Sequence, residues 1–258
     1  MTTNRIQIQA LQSQAKPASV EDLEHGLITQ SETCPVAHSL FAPMHYEPNY
    51  AYPLIVWLHG DGMDERQLQR VIPLISMRNY AAVSARGTQP AGDNASGYRW
   101  GTSEPEVTAA EQVVFDCIEA ARERFNIAAH RVFLAGFQCG GTVAFQVGLR
   151  YPQRFAGVLS VGGPFPRNGR PLALLREVRE LPLFMARGRE SAQCPVQRTC
   201  NELKLFHAAG LNVTLRQYPG GDELHPQILR DMDVWAMKIV TGVSVSSDDE
   251  STSPSDDK

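Results

Sequence analysis

The stretch Leu134-Ala135-Gly136-Phe137-Gln138-Cys139-Gly140-Gly141 decides the fold, because it joins a predicted strand to a predicted helix through a tight turn. Gly136 and Gly140 stand two residues either side of Gln138. Glycines at these positions of a G-x-S-x-G elbow prevent side chains from colliding with the strand and the helix, while a serine occupies the strained apex. The elbow glycines Gly136 and Gly140 are therefore present here, but the apex is a glutamine.

Strands and helices alternate along the chain on either side of this elbow. Short apolar runs predict buried strands at Tyr52–Leu58, Ala81–Ser84, Arg131–Gly136, Phe155–Val161, Leu181–Ala186 and Val213–Tyr218. Apolar residues at helical spacing predict helices over 110–125, 142–150, 196–208 and 226–240. This alternation is typical of the α/β class, with a doubly wound, mostly parallel sheet and helices on both faces.

Composition divides the chain of 258 residues into a folded body and two polar ends. We predict a flexible arm over residues 1–20, one domain over residues 21–243 and a disordered acidic tail over residues 244–258. The formal net charge is -4, and the segment Val245–Lys258 alone carries five acids and one lysine. The body is therefore close to neutral, which argues against nucleic acid as a partner.

The sequence also predicts the surroundings of the protein. Five cysteines form no C-x-x-C pair and no Cys/His cluster, so free thiols in a reducing compartment are expected rather than a disulfide framework. The first residues lack the apolar core of a signal peptide, and no apolar run is long enough for a membrane span. A cytoplasmic location follows by default, and no metal or other cofactor is predicted.

A second glycine turn, Leu58-His59-Gly60-Asp61-Gly62, follows the first long strand. An HGxG turn in this position forms an oxyanion hole from backbone N–H groups. The donors here are expected to be the N–H of Asp61 and that of Cys139, and we call His59–Gly62 the oxyanion loop. His59 is expected to brace this loop as a buried hydrogen-bonding residue, while Asp61, Asp64 and Glu65 are expected to be solvated rather than to bind a metal.

With these motifs in order, the chain resembles the phospholipase/carboxylesterase group of α/β-hydrolases, which includes acyl-protein thioesterases. The matching segments cover most of the chain, from about Thr33 to Thr241, and are LHGDGMDERQL (58–68), ARGTQP (85–90), RVFLAGFQCGG (131–141) and YPGGDELHP (218–226), with a turn bounded by Gly188 and Pro195. The resemblance implies an α/β-hydrolase fold and hydrolysis of carboxylic esters by a Ser-Asp-His triad. The serine lies on the elbow, the aspartate on the turn over residues 187–195 (the acid turn) and the histidine on the turn over residues 218–226 (the histidine turn).

The sequence departs from the family pattern at each triad position. The serine is replaced by Gln138, the aspartate by Ser191 and the histidine by Asp222. An amide does not attack carbonyl groups, and a carboxylate is too weak a base to activate a nucleophile efficiently at neutral pH. We therefore predict a catalytically inactive pseudo-hydrolase that binds an ester-like small molecule or a protein partner in its cleft. The sequence predicts no particular oligomeric state.

A displaced triad is the alternative prediction. Cys139, His225 and Glu190 are neighbours of the three lost residues and have the chemical character of a nucleophile, a base and an acid. A thiol at a helix N-terminus can also have a lowered pKa. Against this, placing Cys139 at the apex would put the bulky Phe137 where the elbow needs a glycine.

Two further expectations concern the cleft. The segment Tyr98-Arg99-Trp100 follows a glycine loop and is either a wall of the cleft or plain surface. The amide of Gln138 is either turned to solvent or placed in the acyl site, where it would hydrogen bond the two oxyanion-hole N–H groups and donate to Asp222.

Overall fold

The computed structural model describes residues 28–29, 35–92, 96–167 and 172–242. The predicted arm over residues 1–20 and the predicted acidic tail over residues 244–258 lie outside these ranges, as does Cys34.

Eight of the described strands form one sheet, and two short strands pair separately. The strands are β1 (Ile28–Thr29), β2 (His38–Phe41), β3 (Tyr52–Leu58), β4 (Ala81–Ala85), β5 (Gln89–Pro90), β6 (Tyr98–Arg99), β7 (Ile127–Phe137), β8 (Gly157–Val161), β9 (Leu183–Gly188) and β10 (Val213–Tyr218). The order in the sheet is β1-β2-β4-β3-β7-β8-β9-β10. In this order, the pairs β4-β3, β3-β7, β7-β8, β8-β9 and β9-β10 are parallel. Strands β1 and β2 are antiparallel additions at one edge.

Within the described ranges, six α-helices connect the strands and cover both faces of the sheet. They are α1 (Gln67–Ile75), α2 (Glu104–Arg124), α3 (Cys139–Arg150), α4 (Leu175–Glu180), α5 (Val196–Ala209) and α6 (Pro226–Thr241). Helices α2 and α3 pack on one face, while α1 and α6 pack together on the other. The predicted doubly wound, mostly parallel sheet with helices on both faces is confirmed.

Alternation along the buried strands supplies both cores. Val56 of β3 and Leu134 of β7 belong to the cluster under α2 and α3, while Trp57 and Phe133 belong to the cluster under α1 and α6. Successive side chains of a strand point to opposite faces, so a strand buried on both sides must be apolar throughout. This explains why YPLIVWL (52–58) has no polar residue.

The parallel arrangement places the predicted site residues at one edge of the sheet. Asp61 follows β3, Gln138 follows β7, Ser191 follows β9 and Asp222 follows β10. The carboxyl ends of parallel strands share one edge, which is where ligands bind in open α/β sheets.

Candidate functional site

The elbow between β7 and α3 keeps the strained geometry that its glycines permit. Gln138 has φ 49° and ψ -116°, a region that non-glycine residues rarely adopt. A β-carbon at Gly136 would collide with the backbone of Gly140, and one at Gly140 would collide with the carbonyl group of Leu58. Strand and helix can therefore approach each other only with glycine at both positions, as the sequence predicted.

The side chain of Gln138 is turned towards the histidine turn. Its amide nitrogen donates to the backbone carbonyl of Asp222 at 3.4 Å. A β-carbon built on Gly60 would stand 3.3 Å from the amide oxygen, so that oxygen faces the oxyanion loop. Among the described residues, however, Gln138 accepts no hydrogen bond from the N–H of Asp61 or Cys139. The partner of the amide is thus the Asp222 carbonyl and not its carboxylate.

The carboxylate of Asp222 is bonded to the acid turn instead. The hydroxyl of Ser191 donates to one carboxylate oxygen, and the N–H of Ala192 donates to the other at 3.0 Å. Ser191 is buried and itself accepts the N–H of Cys194 at 2.8 Å. Hydrogen bonds therefore link Gln138, Asp222 and Ser191 into one chain. The carboxylate among these three side chains is that of Asp222, which stands where the family has its histidine base.

The oxyanion loop is braced by a neutral histidine. The N–H of Gly87 donates to His59 Nε2 at 2.8 Å, so this nitrogen carries no proton. The proton therefore lies on Nδ1, which donates to the Gly60 carbonyl at 2.8 Å. Burial keeps the pKa of His59 below its ordinary value, opposed by the Gly60 hydrogen bond and by nearby carboxylates. This is the bracing role that the sequence indicated.

An ion pair lies three residues beyond the oxyanion loop, and here the sequence prediction was wrong. Glu65 is fully buried rather than solvated, and its carboxylate binds Arg86 through two hydrogen bonds of 2.6 and 2.9 Å. Burial opposes ionisation of Glu65, but the bonds to Arg86 outweigh it and hold the pKa of the carboxyl below its ordinary value. Within the described ranges, no cluster of His, Cys, Asp or Glu could hold a metal ion.

The residues of the displaced triad are not linked to one another. Cys139 begins α3 and lies at the cleft, but Glu190 is exposed on the acid turn. His225 is exposed at the start of α6, where its ring accepts the N–H of Gln227 at 3.2 Å. Burial raises the pKa of the Cys139 thiol above its ordinary value, contrary to the expectation from its position at a helix N-terminus.

A cleft of about 530 Å³ opens beside the elbow. Its walls come from the oxyanion loop, β5, β6 with the segment that follows it, α2, the elbow, α3, the segment after β8, the acid turn and α5. The residues are Asp61, Gln89, Arg99, Trp100, Gly101, Thr102, Glu106, Gln138, Cys139, Thr142, Gln146, Pro164, Phe165, Pro166, Arg167, Gln193 and Arg198. Ser191 and Asp222 lie behind this wall. The structure thus favours the cleft-wall interpretation of Arg99 and Trp100.

Sequence reasoning did not identify several polar residues of the cleft. Gln146 is a buried glutamine on α3, whose inward-facing residues are otherwise mostly apolar, and that contrast is a signal that could have revealed it. Arg167 and Arg198 have no such signal, because each is an ordinary charged residue in its local sequence.

Comparison with known proteins agrees with this architecture. The protein-family description "Phospholipase/Carboxylesterase" matches residues 48–238. A carboxylesterase from Mesorhizobium loti superposes with a TM-score of 0.66 at 16% sequence identity, covering 81% of this chain and 98% of that one. The Bacillus cereus carboxylesterase gives 0.61 at 18% identity, covering 79% and 94%. These structural similarities establish the fold. In the part of the chain that the structure describes, no helix is long and apolar enough to span a membrane.

Proposed function

Because the chain belongs to the phospholipase/carboxylesterase family of α/β-hydrolases, we propose that it is a non-hydrolytic member that binds a ligand in the cleft beside the elbow. The scaffold of a hydrolase is present in the sheet, the elbow glycines and the oxyanion loop. The nucleophile, base and acid of a catalytic triad are not present at the positions where the family has them.

The hydrogen bonding of Asp222 carries this proposal. A serine hydrolase needs a nucleophile, a base that takes its proton and a carboxylate that orients the base. Here Asp222 occupies the place of the base, and both its carboxylate oxygens are engaged by Ser191 and by N–H groups of the acid turn. Gln138 at the apex contributes only an amide. Gln138 therefore cannot act as the nucleophile, and Asp222 cannot act as the base that takes a proton from one.

The test is an activity assay with short p-nitrophenyl esters and acyl thioesters at neutral pH. We expect no turnover above the uncatalysed background, because loss of a triad costs about a million-fold in turnover in hydrolases of this kind. Gln138→Ser alone should also be inactive, because no base is available. Ester turnover should appear only when Gln138→Ser is combined with Ser191→Asp and Asp222→His.

The displaced triad is the competing function, favoured by one observation: Cys139 lies at the cleft. If the wild-type protein hydrolyses esters, and Cys139→Ala or His225→Ala abolishes the turnover, the protein is an enzyme and our proposal is wrong. Cys200→Ala and His207→Ala are matched controls, because both side chains are exposed on α5.

We also propose that the protein works in a reducing compartment, in keeping with a cytoplasmic location. Among the cysteines in the described ranges, Cys139, Cys194 and Cys200 are free thiols. Free thiols are typical of reducing compartments. Fractionation of cells that express the full chain tests the location directly.

A further inference from the structure

Two buried polar atoms of the cleft wall have no hydrogen-bond partner among the residues that the structure describes. They are the indole nitrogen of Trp100 and the amide oxygen of Gln146, and both side chains are more than nine-tenths buried. A buried donor or acceptor without a partner costs about 1–3 kcal/mol, so native proteins almost always satisfy such groups. Both residues line the cleft, although the two atoms themselves are covered, so a ligand reaches them only with a local shift of the wall.

The two atoms have opposite requirements. An indole N–H only donates, so Trp100 needs an acceptor. The amide nitrogen of Gln146 donates to the Thr102 carbonyl at 3.4 Å, which leaves its oxygen as an acceptor in need of a donor. A molecule that satisfies both must carry a donor and an acceptor, which a hydrocarbon acyl chain does not.

The charged groups of the cleft wall favour an anion. Its guanidinium groups belong to Arg99, Arg167 and Arg198, and its carboxylates to Asp61 and Glu106. Glu106 is already satisfied by donors of the protein, the Ser103 N–H at 2.8 Å and the Gln89 amide.

One carboxylate behind the wall is also shared between two arginines. Glu202 accepts from Arg198 at 3.1 Å and from the buried Arg187 at 3.4 Å. The single charge of Glu202 therefore cannot neutralise both guanidinium groups. Arg99 and Arg167 are exposed and form no ion pair with a carboxylate within the described ranges, although Arg99 interacts electrostatically with Glu106. The wall has three arginines against two carboxylates, which is an excess of positive charge.

We propose that the cleft binds a small organic carboxylate that also carries an amide or hydroxyl group, and not an apolar acyl ester. Its carboxylate pairs with guanidinium groups at the cleft wall, for which the forked geometry of arginine is well suited. Its polar group accepts from Trp100 and donates to Gln146. This inference rests on the proposed function, because it treats the cleft as a binding site without hydrolysis.

Calorimetric titration of the full chain tests this ligand class. The probes are N-acetyl-L-glutamate, citrate and malate, with octanoate as a carboxylate of apolar character. We expect at least one of the polar acids to bind with a dissociation constant below ~1 mM and more tightly than octanoate. Trp100→Phe removes the indole N–H together with one ring of the side chain, and Gln146→Leu removes the amide, including its bond to Thr102. Each should weaken that binding about tenfold.

A second set of variants tests whether binding requires the arginines of the cleft wall. Arg99→Gln combined with Arg167→Gln should weaken binding of the polar acid at least tenfold and reduce its dependence on salt. Arg122→Gln and Gln112→Leu should bind as the wild type does, because the half-buried Arg122 and the exposed Gln112 lie on α2 outside the cleft. Thermal denaturation of every variant establishes that the chain remains folded.

Two results would overturn the inference. One is that none of the three polar acids binds, or that octanoate binds more tightly than they do. The other is that Trp100→Phe and Gln146→Leu are folded and bind the polar acid with wild-type affinity. Neither result affects the proposed lack of hydrolysis, which only ester turnover by the wild-type protein would contradict.

Discussion

Gln138 is held in a backbone conformation that usually serves a nucleophile. Its φ of 49° and ψ of -116° cost about 1–3 kcal/mol for a residue with a β-carbon. The surrounding structure enforces this conformation, because the Gln138 N–H is bound to the Val161 carbonyl at 2.8 Å. The strain therefore persists although an amide has replaced the serine.

Glycine should relieve this strain. We expect the free energy of unfolding to be about 1 kcal/mol higher for Gln138→Gly than for Gln138→Ala, measured by urea denaturation. Both variants lose the amide, so their difference reports the backbone alone. At exposed Gln112 in α2, the same pair should show the opposite order, because glycine destabilises a helix interior. Equal stability of the two Gln138 variants would contradict the strain.

His59 makes stability depend on pH in a definite direction. Burial lowers its pKa in the folded protein below the ordinary value of 6.5, so the unfolded chain binds the proton first as pH falls. The stability supplied by neutral His59 is complete above pH 6.5 and is lost as pH falls from there towards the folded-state pKa. Protonation would also place a hydrogen on Nε2, facing the Gly87 N–H.

Urea denaturation at several pH values between about 5 and 8 measures this effect. The decrease in stability of the wild type below pH 6.5 should be smaller in His59→Gln, which cannot titrate there. His207→Gln changes an exposed histidine of α5 and should keep the wild-type pH profile. A His59→Gln profile parallel to that of the wild type would argue against a neutral buried histidine.

The site shows what a residue pattern can and cannot predict. The convergence of Gln138, Ser191 and Asp222 on neighbouring loops follows from their places after parallel strands. The hydrogen bond from Gln138 to the Asp222 carbonyl could not be predicted in this way. It depends on Ser191 and the Ala192 N–H, which already bind the Asp222 carboxylate. Hydrogen-bond competition between loops distant in sequence leaves no periodic signal.

Among the elements, agreement in bounds does not simply follow burial. The bounds of β3 and β10 agree with the sequence prediction, and those of β4, α5 and α6 differ by one residue at one end. The continuous apolar run of β3 is a strong signal because both faces of that strand are covered. Strand β10 lies at the edge of the sheet, and the bounds of the buried strands β7, β8 and β9 differ from the prediction by up to four residues. Helix α2 begins six residues before the predicted start, and the sequence has signals for this: Val107 continues the apolar spacing, and Pro105 and Glu106 after Ser103 are typical of a helix start.

The elements that were missed have weak local signals. Strand β2 has only four residues, and two of them, His38 and Ser39, are polar yet buried. Helix α1 has nine residues and contains Pro73, which normally marks the end of a helix. Both elements are stabilised by what they pack against, β4 in one case and α6 in the other, and such packing is not encoded in a short window.

An ion pair joins the segment between the oxyanion loop and α1 to the end of β4, in addition to the His59–Gly87 hydrogen bond. Glu65 precedes α1 and Arg86 follows β4, and the carboxylate is fully buried while the arginine is partly exposed. Arg86→Met should lower the free energy of unfolding by about 3 kcal/mol, because it leaves a buried carboxylate without its partner. Adding Glu65→Gln should recover part of this loss, since the charge is then removed as well.

Arg70→Met is the matched control for this experiment. Arg70 is exposed on α1, so its replacement should change the stability by no more than about 0.5 kcal/mol. If Arg86→Met proved as mild as Arg70→Met in chemical denaturation, the Glu65–Arg86 pair would not stabilise the loop.

At the scale of the whole molecule, one sheet separates two hydrophobic clusters and belongs to both. Neighbouring residues of β7 contribute to opposite sides, Leu134 to the cluster with α2 and α3 and Phe133 to the cluster with α1 and α6. Loss of packing on one face therefore weakens the strands on which the other face depends. We infer that the two layers cannot unfold independently of each other.

This coupling predicts a single thermal transition even when only one layer is damaged. Leu134→Ala in one cluster and Ile72→Ala in the other each remove a fully buried side chain, which costs about 3 kcal/mol. Each variant should lower Tm by roughly 6–12 °C. Tryptophan fluorescence and far-UV circular dichroism should report the same midpoint in both variants, because Trp100 and Trp235 belong to different clusters. Leu74→Ala, at an exposed position of α1, should leave Tm nearly unchanged. A fluorescence transition that precedes the dichroism transition in Ile72→Ala alone would mean that α1 and α6 detach first, and the sheet would then not couple its two faces.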